Sequence, residues 1–165
     1  GHKGRAIGVD MTPGMVECTK QAAEEAGMSD RVEVHQGFYE ELPVADESVD
    51  IVISNGVLNL APDKHIVLSE MFRVLKPGGK IYLADVVVQR ELTEQARGNP
   101  DLWAACVAGA LVETELTTLA KDVGFSDGQV TQRFNCFYDT TAEAKVAKDL
   151  FIQSVNFIAH KGSDS

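Results

Sequence analysis

Apolar runs of strand length recur along the chain, and the early ones are each followed by a stretch with helix signals. Arg5–Val9 is the first run and ends in Asp10. Thr12 and Pro13 then read as an N-cap and a first helical residue, and the helix is expected to run to about Ala26, with Gly27 as its left-handed stop. Val32–His35 is a short strand closed by Gly37, and Leu42-Pro43 with Ala45–Ser48 makes a polar loop. Asp50–Ser54 (DIVIS) is a near-continuous apolar run, the pattern of a strand buried on both faces. Pro62 starts the next helix, Asp63 is favourable in its first turn, and Ile66, Val67, Met71 and Val74 supply its apolar stripe.

Pro77-Gly78-Gly79 then reads as a turn and Lys80–Val88 as the following strand. Leu92–Leu111 is mostly helical with a break near Gly98-Asn99-Pro100, and Glu113–Val123 is a helix stopped by Gly124. Val130–Phe137 and Phe151–His160 are β-rich and are expected to pair antiparallel across a helix at Thr141–Lys148. This alternation predicts an α/β fold: a mostly parallel sheet covered by helices, with antiparallel final strands. A single domain over residues 1–162 and a disordered tail at 163–165 are expected.

The 165 residues are enough for one domain with a real core. A net charge of −10 argues against nucleic acid, which needs clustered Lys and Arg. No apolar run approaches membrane-spanning length, so no membrane partner is expected. Cys18, Cys106 and Cys136 are scattered and odd in number, which suits free thiols in a reducing cytoplasm. No metal site is expected.

Asp10 sits at the carboxyl end of a strand, where open α/β sheets bind ligands. Its two oxygens can accept both hydroxyls of a nucleoside ribose; a helix-capping role is the alternative. Met11 beside it offers a soft face to a base. Ser54-Asn55-Gly56, just past DIVIS, would let a ligand approach backbone and meet hydrogen bonds, and Asn59 is a further candidate; a plain strand-to-helix loop is the alternative. Asp85 closes an apolar strand; it could reach the substrate mouth, and a surface acid is the favoured reading. His35 reads as a strand residue and His65 as a solvated residue of a first helical turn. No side chain is assigned as a catalytic base.

Taken in order, GVDMT, Gly37 with Glu41-Leu42-Pro43, DIVISN and FRVLKPGGKIYLAD resemble the class I S-adenosylmethionine-dependent methyltransferases. The resemblance covers nearly the whole chain and implies a Rossmann-like methyltransferase sheet and S-adenosylmethionine as cofactor. It implies that Asp10 binds the cofactor ribose and Met11 flanks the adenine. Gly37 and Phe38 would lie near the adenine edge, and Ser54, Asn55 and Gly56 would line the methionine side. GVDMT, ISNGVLNLAPDK and LWAACVAGAL are most similar to arsenite methyltransferases. In those enzymes a cysteine stands where this chain has Gly56, and another where it has Cys106. Trivalent arsenic needs soft thiolates, usually more than one. With only Cys106 matching, arsenic is disfavoured as substrate, and the expectation is a small-molecule methyl acceptor in a pocket lined by Asn59, Trp103 and Cys106.

The family opens with a strand and an acidic glycine-rich loop, and this sequence begins at the turn before the second strand. The sheet is therefore expected to be truncated before its second strand, between Arg5–Val9 and Asp50–Ser54. Two rows of backbone groups would then need another partner. A second copy, a swapped segment or a shifted strand is expected to supply it.

Overall fold

The computed structural model describes residues 3–104, 106–135 and 152–163. They form two compact units, residues 1–45 and 46–165. In the first, β1 (Ala6–Asp10) pairs in parallel with β2 (Val32–Gln36), and α1 (Pro13–Glu25) connects them. Pro13 opens α1 where its missing N–H costs nothing, and Gly27 (φ 65°) ends the turn after it. Thr12 is the N-cap by backbone position but makes no side-chain cap. Instead, the Thr12 amide donates to Asp10 Oδ1 at 2.8 Å, so Asp10 orders the strand-to-helix turn.

The second unit carries β3 (Val49–Asn55), a 3-10 turn at Leu58–Leu60, α2 (Lys64–Val74), β4 (Leu75–Val88), α3 (Glu94–Arg97), α4 (Pro100–Ala104), β5 (Leu111–Val112), α5 (Glu113–Val123), β6 (Phe125–Phe134) and β7 (Ile152–Lys161). The sheet order is β3-β4-β7-β6, with β5 on the last two residues of β4. β3 and β5 run parallel to β4, while β7 is antiparallel to both β4 and β6. This is the mixed sheet that the sequence predicts. Val67, Leu68, Met71 and Val74 of α2 and Leu116 and Ala120 of α5 are buried, as are Ile81, Leu83, Phe157 and Ala159 of the sheet.

Several local expectations change. Asp63 is the N-cap of α2, not a first-turn residue: its Oδ1 accepts the amides of His65 and Ile66, so the helix starts at Lys64 instead of Pro62. β4 begins at Leu75, and Pro77-Gly78-Gly79 forms a bulge within it, because Val49 pairs with Leu75 while Ile51 pairs with Lys80. Gly78 (φ 79°) absorbs the bend. The stretch 92–111 is helical only in α3 and α4; Cys106 has φ 59° and cannot continue a helix. Asp50–Ser54 is not buried on both faces. Ile51 and Ile53 are 52% and 79% exposed, because they share the face of β3 that nothing covers among the described residues. The expected helix at Thr141–Lys148, Cys136, the end of Val130–Phe137 and most of the 163–165 tail lie outside the described residues.

At the far end of the sheet, Lys161 Nζ donates to the carbonyls of Phe72 and Leu75 at 3.1 and 2.8 Å and pairs with Glu47 at 3.2 Å. It also lies 4.7 Å over the Phe72 ring, whose edge-to-face partner is Phe125. Gly124 stops α5 with φ 117°, and a Cβ there would come within 3.2 Å of the Phe72 ring. Gly124→Ala therefore strains both backbone and ring. Urea unfolding should show a loss of about 1–2 kcal/mol; an unchanged midpoint would mean the left-handed stop is dispensable.

Candidate functional site

In the first unit, the carboxyl ends of β1 and β2 lie side by side, since Asp10 pairs with Gln36. The residues just beyond them enclose a cavity of about 420 Å³ lined by Met11, Gln36, Gly37, Phe38, Glu41, Leu42 and Pro43. Met11 and Phe38 are exposed apolar side chains facing this space. Asp10 stands at the adjoining strand end, with one carboxylate oxygen engaged by Thr12. Gly37 is there for packing: a Cβ would meet Pro43 Cδ at 2.9 Å. Gln36, which no sequence motif marked, and Glu41, read only as part of the Glu41-Leu42-Pro43 motif, also line the hollow. Gln36 Nε2 donates to the Met11 carbonyl at 3.2 Å and so ties the two strand ends together. Its position directly before Gly37 was the available signal. An acceptor carboxylate beside an apolar hollow fits the ribose hydroxyls and the base of an adenosine.

In the second unit, Ser54, Asn55 and Gly56 end β3, and Gly56 (φ 68°) turns the chain toward the 3-10 turn. Nothing lies within 4 Å of a Cβ added at Gly56. The Cys106 thiol reaches this turn, its Sγ 3.6 Å from the Gly56 carbonyl. Cys106 thus meets the Gly56 end of the Ser54–Gly56 segment. Trp103 is on α4, and its backbone carbonyl accepts the Cys106 amide at 2.9 Å.

Asn59 is arranged differently from the sequence expectation. It is 2% exposed, and its side-chain amide is committed to protein, donating to the carbonyls of Val86 at 2.6 Å and Cys106 at 3.0 Å. Asp85 is not a surface acid but 8% exposed. Its Oδ2 accepts the Asn59 amide at 3.2 Å and its Oδ1 the Val86 amide at 2.8 Å, and it also accepts from the Leu58 backbone. Burial outweighs these bonds and pushes its carboxyl above the ordinary range. Burial, followed by the Asp85 charge, likewise pushes the Cys106 thiol up, which favours its protonated form as donor to the Gly56 carbonyl. Lys64, whose Nζ donates to the Ala61 carbonyl at 3.1 Å, is held below its usual value by burial, with the Asp85 charge opposing.

His35 and His65 take no part: His35 pairs with Glu33 on its own strand, and His65 lies beside Ser69 on α2. Cys18 is a free, exposed thiol on α1. No cluster of metal-ligating side chains occurs among the described residues.

A strand-end acid beside a base-sized hollow, on an α/β scaffold with an antiparallel end, defines a nucleotide-cofactor domain of the methyltransferase type. A family model described as a methyltransferase domain matches residues 1–124. The chain belongs to the class I S-adenosylmethionine-dependent methyltransferase family, and within it resembles the arsenite methyltransferases. It is 44% identical over 133 residues to the arsenite methyltransferase of Homo sapiens, covering 76% of this chain and 36% of that protein. To that of Halobacterium salinarum it is 40% identical over 135 residues, covering 81% of this chain and 34% of the relative. The crystal structure of an arsenic(III) S-adenosylmethionine methyltransferase from Chlamydomonas reinhardtii superposes with a TM-score of 0.82 at 33% identity, covering 99% of this chain and 56% of that one. The chain thus spans about a third of the length of these curated relatives.

Asp85→Asn keeps the side chain's size but turns an amide group toward backbone donors. The variant should lose about 1–3 kcal/mol at pH 7. The folded carboxyl value is raised, so the contribution of Asp85 is fully present below its unfolded value near 3.8 and is lost as pH rises through the folded one. The wild type's advantage in urea melts should accordingly hold or grow from pH 7 to pH 5. If it shrinks on acidification, the ionised form is the stabilising one.

Proposed function

We propose that this chain is the cofactor-side part of an S-adenosylmethionine-dependent methyltransferase acting on a small-molecule acceptor. The observation that carries the reading is the hollow beyond β1 and β2, with Asp10 at its edge. Asp10 would accept the ribose hydroxyls through the oxygen that Thr12 leaves free. Met11 and Phe38 would flank the adenine, and Gly37 keeps Pro43 close enough to wall it. Ser54, Asn55 and Gly56 would meet the methionine portion. The cofactor supplies an activated methyl group when bound, and the protein's part is proximity and orientation.

Cys106 and Trp103 would line the acceptor side. A soft acceptor needs no general base, in keeping with the absence of an assigned one. The relatives' named substrate, arsenite, asks for several thiolates, and here Gly56 faces Cys106. A small soft acceptor is therefore favoured over arsenite. Free Cys18 and Cys106 support a reducing, cytoplasmic setting, and no helix among the described residues is long and apolar enough to cross a membrane.

Isothermal titration with S-adenosylmethionine tests the cofactor reading. The sequence holds no Asp-x-Gly-x-Gly-x-Gly loop to wrap the methionine end. The chain by itself should therefore bind weakly, and more weakly still as Asp10→Ala. Fusing a relative's glycine-rich segment upstream should strengthen binding in an Asp10-dependent way. Micromolar binding by the chain as it stands, indifferent to Asp10, would sink the assignment.

A second reading, assembly through the sheet, is favoured by the edge of β3. Among the described residues β3 has a ladder with β4 alone, and Ile51 and Ile53 are bare beside that edge. The occupant proposed is a second copy of this chain, paired strand to strand. Sedimentation should give a concentration-dependent dimer that Ile53→Lys abolishes. A monomer at every concentration would exclude it.

A further inference from the structure

The left-handed backbone of Cys106 has a specific source of support. A non-glycine residue at φ 59° is disfavoured relative to the right-handed region, so neighbouring contacts have to hold it. The preceding turn supplies the bond from the Cys106 amide to the Trp103 carbonyl. The following turn is held by the amides of Val107 and Ala108, which both donate to the Leu102 carbonyl. The Val107 amide shares its peptide plane with the Cys106 carbonyl, so its bond already helps to orient that carbonyl oxygen. That atom accepts from Asn59 Nδ2, which also spans to Val86 at the end of β4.

Asn59 is itself clamped on two sides. Its backbone amide is bound by Asp85, and Gly109 lies so close that a Cβ there would come within 1.9 Å of the Asn59 carbonyl oxygen. The bare backbone of Gly109 lets the loop carrying Cys106 settle onto the Asn59 turn. A short-chain amide then reaches two carbonyls from different elements, which an aspartate or a leucine of the same size cannot do. Asn59 itself is buried and both donor bonds are part-buried, so losing one leaves a poorly solvated polar group.

We propose that Asn59 is a positioning residue for the acceptor pocket: it holds the Cys106 loop in its left-handed conformation and so aims the thiol at the Gly56 turn. The inference rests on the reading of Cys106 as a pocket residue. It explains why a buried amide, and not an exposed one, stands in the strand-to-helix connection. It also assigns the surrounding charges: Asp85 from β4 holds the Asn59 turn and raises the thiol, and Lys64 from α2 tempers the Asp85 charge.

The test is the pH profile of iodoacetamide alkylation at Cys106, read by peptide mass spectrometry, with Cys18 on the same molecule as reference. The thiolate displaces iodide and its proton goes to solvent, so the profile reports the thiol's own titration. In the unsubstituted protein Cys106 should react more slowly than Cys18 and titrate above the ordinary thiol value of 9.0. In Asn59→Ala the Cys106 rate should rise by roughly tenfold or more as the loop opens, and its midpoint should fall toward the ordinary value, with Cys18 unmoved.

Leu116→Ala, a cavity variant in α5, serves as the control for general destabilisation and should leave the Cys106 profile in place. An unchanged profile in Asn59→Ala, or an equal shift in Leu116→Ala, overturns the proposal. If Asn59→Ala does not fold, hydrogen exchange in the unsubstituted protein decides. Slow exchange of the Asn59 side-chain amide protons supports the two bonds, and exchange at the free-amide rate refutes them. None of these readings depends on methyl transfer, so a failed activity assay would count against the proposed function and leave this inference standing.

Discussion

A carboxylate buried near the end of β4 organises the second unit. Asp85 sits on the strand with partners on both sides, and its oxygens take up amides from the 3-10 turn and from Val86. An unpartnered carboxylate in that position would be prohibitive, so the turn has to come to it. Once Leu58–Leu60 is fixed, Asn59 is fixed, and through it the Cys106 loop. Asp85 thus links the sheet to the loop carrying the candidate pocket thiol while staying buried itself.

The first unit works by a simpler rule. Its two strands are short and their pairing is local, with one helix between them. Asp10 orders the turn into α1 through one carboxylate oxygen, which leaves the turn-ordering and binding readings of this residue compatible. Gly37 illustrates a different division: the position invites a close ligand approach, but Pro43 occupies the space a side chain would need. The hollow's wall is therefore built by the Leu42-Pro43 loop folding back over the end of β2.

The sheets also carry open edges. β1 has a ladder with β2 alone and β3 with β4 alone among the described residues. The apolar side chains of β3 are exposed beside its free edge, a surface suited to a further strand.

Much of this was legible in the order of residues. The β/α alternation, the Pro13 start of α1, the Gly27 and Gly124 stops and the family resemblance are local patterns, because each depends on backbone preferences over a few residues. Asp10, Met11 and the Gly37 turn were readable for the same reason: a strand end is marked by its own neighbours. What the tertiary structure alone decided concerns residues far apart in the chain. The sequence left Asp85 on the surface and Asn59 facing a substrate, since a polar residue is ordinarily solvated. Only the packing of the 59, 85 and 106 regions shows both to be buried and satisfied by one another. Cys106 read as part of the mostly helical 92–111 stretch, but its backbone is left-handed, beside the place where Gly109 packs against Asn59. Local sequence determined the strands, the helix ends and the family. Long-range hydrogen bonding, invisible to any short window, decided which polar residues support the site and which remain free to meet a ligand.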